Sequence, residues 1–162
     1  MKPLFSFTLA ILLLASCAVQ KKTTTLVRPI FEFGSSMEET KALLEAHSDS
    51  IIVKRNQRIQ VPTAKKEQSQ LDVYGYEYAG KKRIVELIFA DNVLDIAWIL
   101  TEADEEAFFI QHFKSKYGKP THVTGEATFF INDRVAVRNN PHEVLCISER
   151  LVEQYKQFLE NQ

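Results

Sequence analysis

The side chains able to do chemistry are few and widely spread. Cys17 ends the run Leu12-Leu13-Leu14-Ala15-Ser16-Cys17, a thiol placed after apolar and small residues. The other cysteine, Cys146, lies in Val144-Leu145-Cys146-Ile147. That run reads as a strand, and a free cysteine in it packs as a small, inert hydrophobe. No second cysteine or histidine pattern stands near it to build a nucleophile or redox site. The four histidines, His47, His112, His122 and His142, never fall at the HxxxH spacing that puts two imidazoles on one helical face, so no metal site is expected. Acids gather at Glu38, Glu39, Glu102, Asp104, Glu105 and Glu106. In first helical turns they favour the helix dipole. General acid–base catalysis would need two acids brought together from separate strands or loops. There is no GxSxG elbow, phosphate loop or dinucleotide fingerprint, so no cofactor is expected. Tyr74, Tyr76 and Tyr78 are the candidate binding face. At spacing two on one strand they point the same way, and an exposed row of tyrosines suits recognition. The competing reading is that tyrosine favours half-buried sheet surfaces.

These residues need elements to hold them. Ser36 and Glu39 fit a capping box, and Met37, Leu43, Leu44 and His47 follow at helical spacing, which predicts a helix over 36–47. Phe33, just before the cap, is placed to staple onto it. Strands are expected at Ile51-Ile52-Val53 and Ile59-Gln60-Val61, then from Leu71 to Tyr78 and from Arg83 to Ala90. In the next strand Leu94, Ile96, Trp98 and Leu100 are expected to share a face. Turns at Ala79-Gly80 and Asp91-Asn92 are too short to join parallel strands, so this part is an antiparallel meander. A second helix begins at Thr101 and stops at Tyr117-Gly118-Lys119-Pro120, where glycine supplies the left-handed residue and proline bars resumption. Strands at Ala127–Ile131, Val135–Arg138 and Val144–Ile147 follow, with a last helix over Glu149–Leu159. The expected fold is α+β: a twisted antiparallel sheet with short helices packed on one side. Ser36 and Thr101 each open a helix followed by a meander, so the halves could be a tandem duplication.

The N-terminus gives an address. Lys2 precedes an apolar stretch from Leu4 to Leu14, too short for the ~20 residues that span a bilayer. Polar sequence follows at once, which is the layout of an export signal. Leu14-Ala15-Ser16-Cys17 resembles the lipobox of bacterial lipoproteins. The resemblance implies a signal peptide over 1–16, lipid attached to Cys17, and a membrane as first partner. Two or more acyl chains anchor stably where one does not. Residues 17–28 then read as a lipidated tether, polar and without periodicity. Residues 29–162 form one domain. By the sorting pattern of many such lipoproteins, the resemblance implies that Ala18 after the cysteine, rather than Asp, directs the chain to the outer membrane, with the domain facing the periplasm.

Composition narrows the remaining classes. Without Lys2 the chain carries nineteen basic and twenty-one acidic side chains, which leaves no basic excess to attract nucleic acid. The nine phenylalanines that follow the signal segment, with many Ile, Leu and Val, supply a substantial core. The pattern Gly-x-Ser-x-Glu-Glu-x-Lys-x-Leu-Leu from Gly34 to Leu44, soon after a lipobox, resembles SmpA/OmlA-type outer-membrane assembly lipoproteins and β-lactamase inhibitor protein-like domains. In this chain a glycine–proline exit follows the second helix, while Ala46-His47-Ser48-Asp49 follows the first. The resemblance implies helices against an antiparallel sheet and action by binding another envelope protein. The expected function is a membrane-anchored, non-catalytic module for protein binding or envelope assembly. Two alternatives stand beside it: a hydrolytic enzyme whose site assembles only in three dimensions, and a carrier of a small apolar ligand between sheet and helices.

Overall fold

A computed structural model of the chain describes residues 28–161. The expected signal peptide and nearly all of the expected tether, Cys17 included, lie outside the described residues. The domain is α+β. One eight-stranded antiparallel sheet runs in the order β1-β2-β3-β4-β8-β7-β6-β5. The first meander is β1 (Ser50–Gln57), β2 (Gln68–Tyr78), β3 (Lys81–Ala90) and β4 (Val93–Leu100). The second is β5 (His122–Val123), β6 (Ala127–Phe130), β7 (Val135–Asn139) and β8 (His142–Ile147). They join where β4 pairs with β8, with Ala97 opposite Cys146. Helix α1 (Met37–Leu44) precedes the first meander, α2 (Glu106–Tyr117) precedes the second, and α3 (Val152–Glu160) closes the chain.

Local chemistry sets the boundaries. At α1 the Ser36 N–H donates to Glu39 Oε2 at 2.9 Å and the Glu39 N–H donates to Ser36 Oγ, which completes the expected capping box. Ahead of α2, a single 3-10 turn over Ala103–Glu105 carries a capping box made by Glu102 and Glu105 rather than by Thr101. The Thr101 N–H is already given to the His142 carbonyl. Gly118, at φ +86°, ends α2 in a conformation that a side chain would strain. Both tight turns of the first meander have two residues at positive φ, Ala79-Gly80 and Asp91-Asn92. Such primed turns match the right-handed twist of paired strands. The second turn also works as a clamp. Asp91 accepts from the backbone N–H groups of Lys65, Lys66 and Glu67, which hold its carboxyl below the usual range, and Asn92 accepts from the Met37 N–H.

Ile59–Val61 is not a strand. The N–H groups of Gln60 and Val61 donate to the Gln68 side-chain oxygen at 2.8 and 3.0 Å, so a glutamine takes the place of a strand partner. This loop folds over the sheet and buries Val61 and Ala64.

Helices pack on both sides of the sheet rather than on one. Against one face lie Met37 and Leu44 of α1 with Phe109 and Phe113 of α2, over Leu71, Val73, Leu87 and Phe89. Against the other lie the 61–64 loop and α3, with Leu159 and neighbouring Leu151, over Ile88, Ile96, Leu145 and Ile147. The apolar run Leu87-Ile88-Phe89-Ala90 carries the reason, because its alternate side chains need cover on both faces.

Two bulges decide which side chains face which way. One extra residue on a strand reverses the alternation beyond it. In β4 the register passes from Ile88↔Ile96 to Phe89↔Leu94, leaving Asp95 as the extra residue. Leu94 therefore joins Ala97 and Ile99, while Ile96 and Trp98 face the opposite core; the expected shared face does not form. Asp95 is 0% exposed and fastens the bulge to the end of β8. Its carboxylate accepts from the Thr63 hydroxyl at 2.5 Å and the Ser148 hydroxyl at 2.6 Å, with the Arg150 guanidinium 3.4 Å away.

Candidate functional site

The second bulge falls at Gly75, between Tyr74↔Ile84 and Tyr76↔Arg83, and it splits the tyrosine row. Gly75 sits at φ +75°, and a Cβ there would lie 2.2 Å from Asp49 Oδ2, so this position demands glycine. Before the bulge Tyr74 is half-buried on the strand; beyond it Tyr76 and Tyr78 turn into the core, each 5% exposed. The exposed three-tyrosine face expected from spacing is not formed. Tyr76 accepts the Ile30 N–H at 3.1 Å, and Tyr78 stacks on Phe109 with ring centroids 6.1 Å apart.

One of the relocated tyrosines reaches a cleft of about 350 Å³ between α2 and the sheet. Five pieces of chain build it. The entering segment gives Arg28, Pro29, Phe31 and Phe33; α2 gives His112, Phe113, Lys116 and Tyr117. The Asn132-Asp133-Arg134 turn and Val135 form a third side, with Cys146 and Ile147 of β8 and Tyr78 of β2 completing the lining. The walls are aromatic by helical spacing. Phe109, Phe113 and Tyr117 repeat every four residues, with stacked rings 6.5 and 5.8 Å apart, and Phe130 meets Phe113 edge-on. The volume suits the small end of ligand pockets, which span ~300–1,000 Å³.

Burial acts on three titratable groups of the lining, and in each it favours the neutral form. Cys146 is half-buried on the lining, and desolvation there pushes its thiol up to about 12, so it stays protonated and serves as a weak polar contact. Burial raises the Tyr78 phenol too. His112 is lowered, first by burial and then by Lys116, which favours its neutral form. Around this lining stand Arg28, Lys116 and Arg134, with Asp133 the one acid in it. Lys116 lies 5.0 Å from the Tyr117 ring centroid, an arrangement that orders the ammonium over an aromatic face.

A second constellation lies elsewhere on the sheet. Asp72 and Glu86 are opposite one another on β2 and β3. Asp72 is held by Lys54 at 2.5 Å and by the Gln70 amide, and the buried Glu143 is paired with Arg138. Glu86 is raised by burial and then by Asp72, and Glu143 is raised chiefly by burial. Acids from different strands do converge here, yet two of the three already hold a cation. The four histidines remain scattered, and no group of three or more metal-binding side chains occurs among the described residues.

Of the cleft's residues, Phe33, Tyr78, His112 and Cys146 were considered from the sequence, each by itself and none as part of a shared site. Nothing local joined them into one site with Arg28, Lys116 and Arg134, which are themselves spread along the chain. No protein-family model matches this chain, and neither a curated protein nor a solved structure matches it.

Proposed function

We propose that this chain is a lipid-anchored, non-catalytic binding module of the bacterial envelope, and that it binds through the cleft between α2 and the sheet. The observation that carries this reading is the cleft's make-up: aromatic walls, protonated polar groups on its lining, and cations around it. These hold a ligand by packing and charge and offer no activated nucleophile. Lipid on Cys17 sets the location at the periplasmic side of the outer membrane. The twelve-residue segment from Cys17 to Arg28 spans at most about 40 Å when fully extended. A cleft lined by Arg28 is thus kept close to the bilayer. Of the alternatives, the ligand carrier gains most from this geometry. A hydrolase would have to use the Asp72–Glu86–Glu143 group, where Lys54 and Arg138 already engage two of the acids.

The order of helix, four strands, helix, four strands supports a tandem duplication, with β4 and β8 as equivalent inner strands. Docking of an envelope protein is favoured by a separate feature, the eight-residue edge strand β1, whose outer backbone groups can receive an added strand.

The test is made on membranes. Wild type, Cys17→Ser and Lys116→Glu are compared for detergent-phase partition and, by native mass spectrometry, for retained non-covalent ligand. Wild type is expected in the detergent phase with ligand bound. Cys17→Ser should leave that phase, and Lys116→Glu should stay anchored, keep its melting point and lose the ligand. An anchored Cys17→Ser bearing full acyl mass would overturn the location. Identical ligand retention in wild type and Lys116→Glu would overturn the cleft as the binding site.

A further inference from the structure

Resting on that reading of the cleft, we propose its ligand class: a single-chain anionic amphiphile, its acid head between Arg28, Lys116 and Arg134 and its apolar body against Phe33, Phe113 and Tyr117. Three observations lead there independently.

The first is charge. Arg28, Lys116 and Arg134 line one cleft and make no ion pair among the described residues. Nine of the fourteen other cations among the described residues are matched with acids, including Arg83, Arg138 and Arg150 around the sheet, and the cleft gathers three of the unmatched ones in one place. A group of unmatched cations beside low-dielectric aromatic walls concentrates positive potential, and an incoming anion relieves their repulsion. Asp133 offsets only part of that charge.

The second is backbone conformation. Arg134 stands at φ +61°, in the left-handed region, directly after Asn132-Asp133. Glycine or asparagine would hold this turn with less strain. A long cation at a position that disfavours it is accounted for when its side chain is needed in the cleft.

The third is shape. The cleft has room for roughly a dozen waters at ~30 Å³ each, enough for a short chain or one ring system and too small for a two-chain lipid. Its lining offers polar groups together with the apolar side chains of Phe33, Phe113 and Tyr117, the two kinds of contact that an amphiphile requires.

A carboxylate or a phosphate monoester provides the same head chemistry, so both are tested. The full chain carrying Cys17→Ser is titrated calorimetrically with decanoate, decyl phosphate, decanol and decyltrimethylammonium below their micelle concentrations. At least one anion should bind tenfold or more tightly than decanol, the cation should not bind, and added salt should weaken the anion. Decyl phosphate ahead of decanoate assigns a lipid phosphate as the source; the reverse order assigns a fatty acid. Arg134→Gly and Lys116→Gln should each weaken the anion at least fivefold. Arg134→Gly should also raise the melting temperature, because it removes the left-handed strain, and this separates lost recognition from lost folding. Equal binding of decanol and decanoate would overturn the anionic head while leaving the cleft a binding site. Anion binding unaffected by either variant would place the amphiphile elsewhere. Absence of binding by all four probes would overturn the ligand class, and the membrane comparison of Lys116→Glu decides separately whether the cleft binds anything.

Discussion

Glu105→Gln is the perturbation that most sharply tests how the aromatic side of the domain is held. Glu105 takes a two-pronged contact from Arg83, at 2.7 and 2.9 Å, and accepts the Glu102 N–H at 3.0 Å. Arg83 is deeply buried, donates from Nε to the Tyr78 carbonyl, and lies over the Phe109 ring. One ion pair thus joins the end of β2, the start of β3 and the start of α2, the three pieces that set Tyr78 beside the cleft. Arg83 and the other contacts lower the Glu105 carboxyl from 4.5 to about 2. At ~1.36 kcal/mol per pH unit that shift caps the contribution near 3.4 kcal/mol. Glu105 is 13% exposed and partly screened, so about 2 kcal/mol is the working figure. The sign follows from linkage. A depressed carboxyl stabilises the fold above its unfolded pKa, and that stability is lost as pH falls from about 4.5 towards 2. At pH 3 roughly 40% of it should remain. Glutamine keeps the shape and the capping acceptor while removing the charge. Urea unfolding at pH 7 should show a loss of about 2 kcal/mol, and the gap from wild type should shrink to below about 1 kcal/mol at pH 3. An unchanged gap between the two pH values would refute the ionic account. A loss under about 0.5 kcal/mol at pH 7 would show that the pair holds nothing.

Four further outcomes follow from the fold. Tyr76→Ala and Tyr78→Ala should each destabilise by about 3–5 kcal/mol in urea unfolding, as for buried aromatics; near-wild-type stability would restore the exposed tyrosine face. Gly75→Ala should cost more than about 1 kcal/mol, because the new Cβ meets Asp49 at a positive φ, and a silent variant would contradict the bulge. Asp95→Ala should cost about 1–3 kcal/mol by leaving the Thr63 and Ser148 hydroxyls without their acceptor, measured by thermal and urea unfolding; a change within about 0.5 kcal/mol would show that the network is slack. With its pKa near 12, Cys146 has only about one thiolate in ten thousand at pH 8, so maleimide should label it slowly until denaturant is added; rapid labelling of the native domain would refute the raised thiol pKa.

The sequence by itself determined what depends on near neighbours. The Ser36–Glu39 box, the Gly118 stop and the turns at Ala79-Gly80 and Asp91-Asn92 are settled within four or five residues, so each was legible and each stands in the structure. The two meanders followed from turns too short for any other pairing. Only the tertiary structure decided which way side chains face, because a single extra residue reverses a strand's alternation and leaves no local mark. Gly75 divided Tyr74 from Tyr76 and Tyr78, and Asp95 divided Leu94 from Ile96 and Trp98. Residues 59–61 were apolar and alternating, yet their N–H groups went to Gln68, a partner seven or eight positions away that propensity does not weigh. The cleft lay furthest from view. Arg28, Lys116 and Arg134 are separated along the chain by stretches that fold into most of the sheet, and they meet because β8 pairs with β4 and brings the second half against the entering segment. Local physics writes turns and caps into adjacent residues; a binding surface made of distant ones exists only once the long-range pairings have closed.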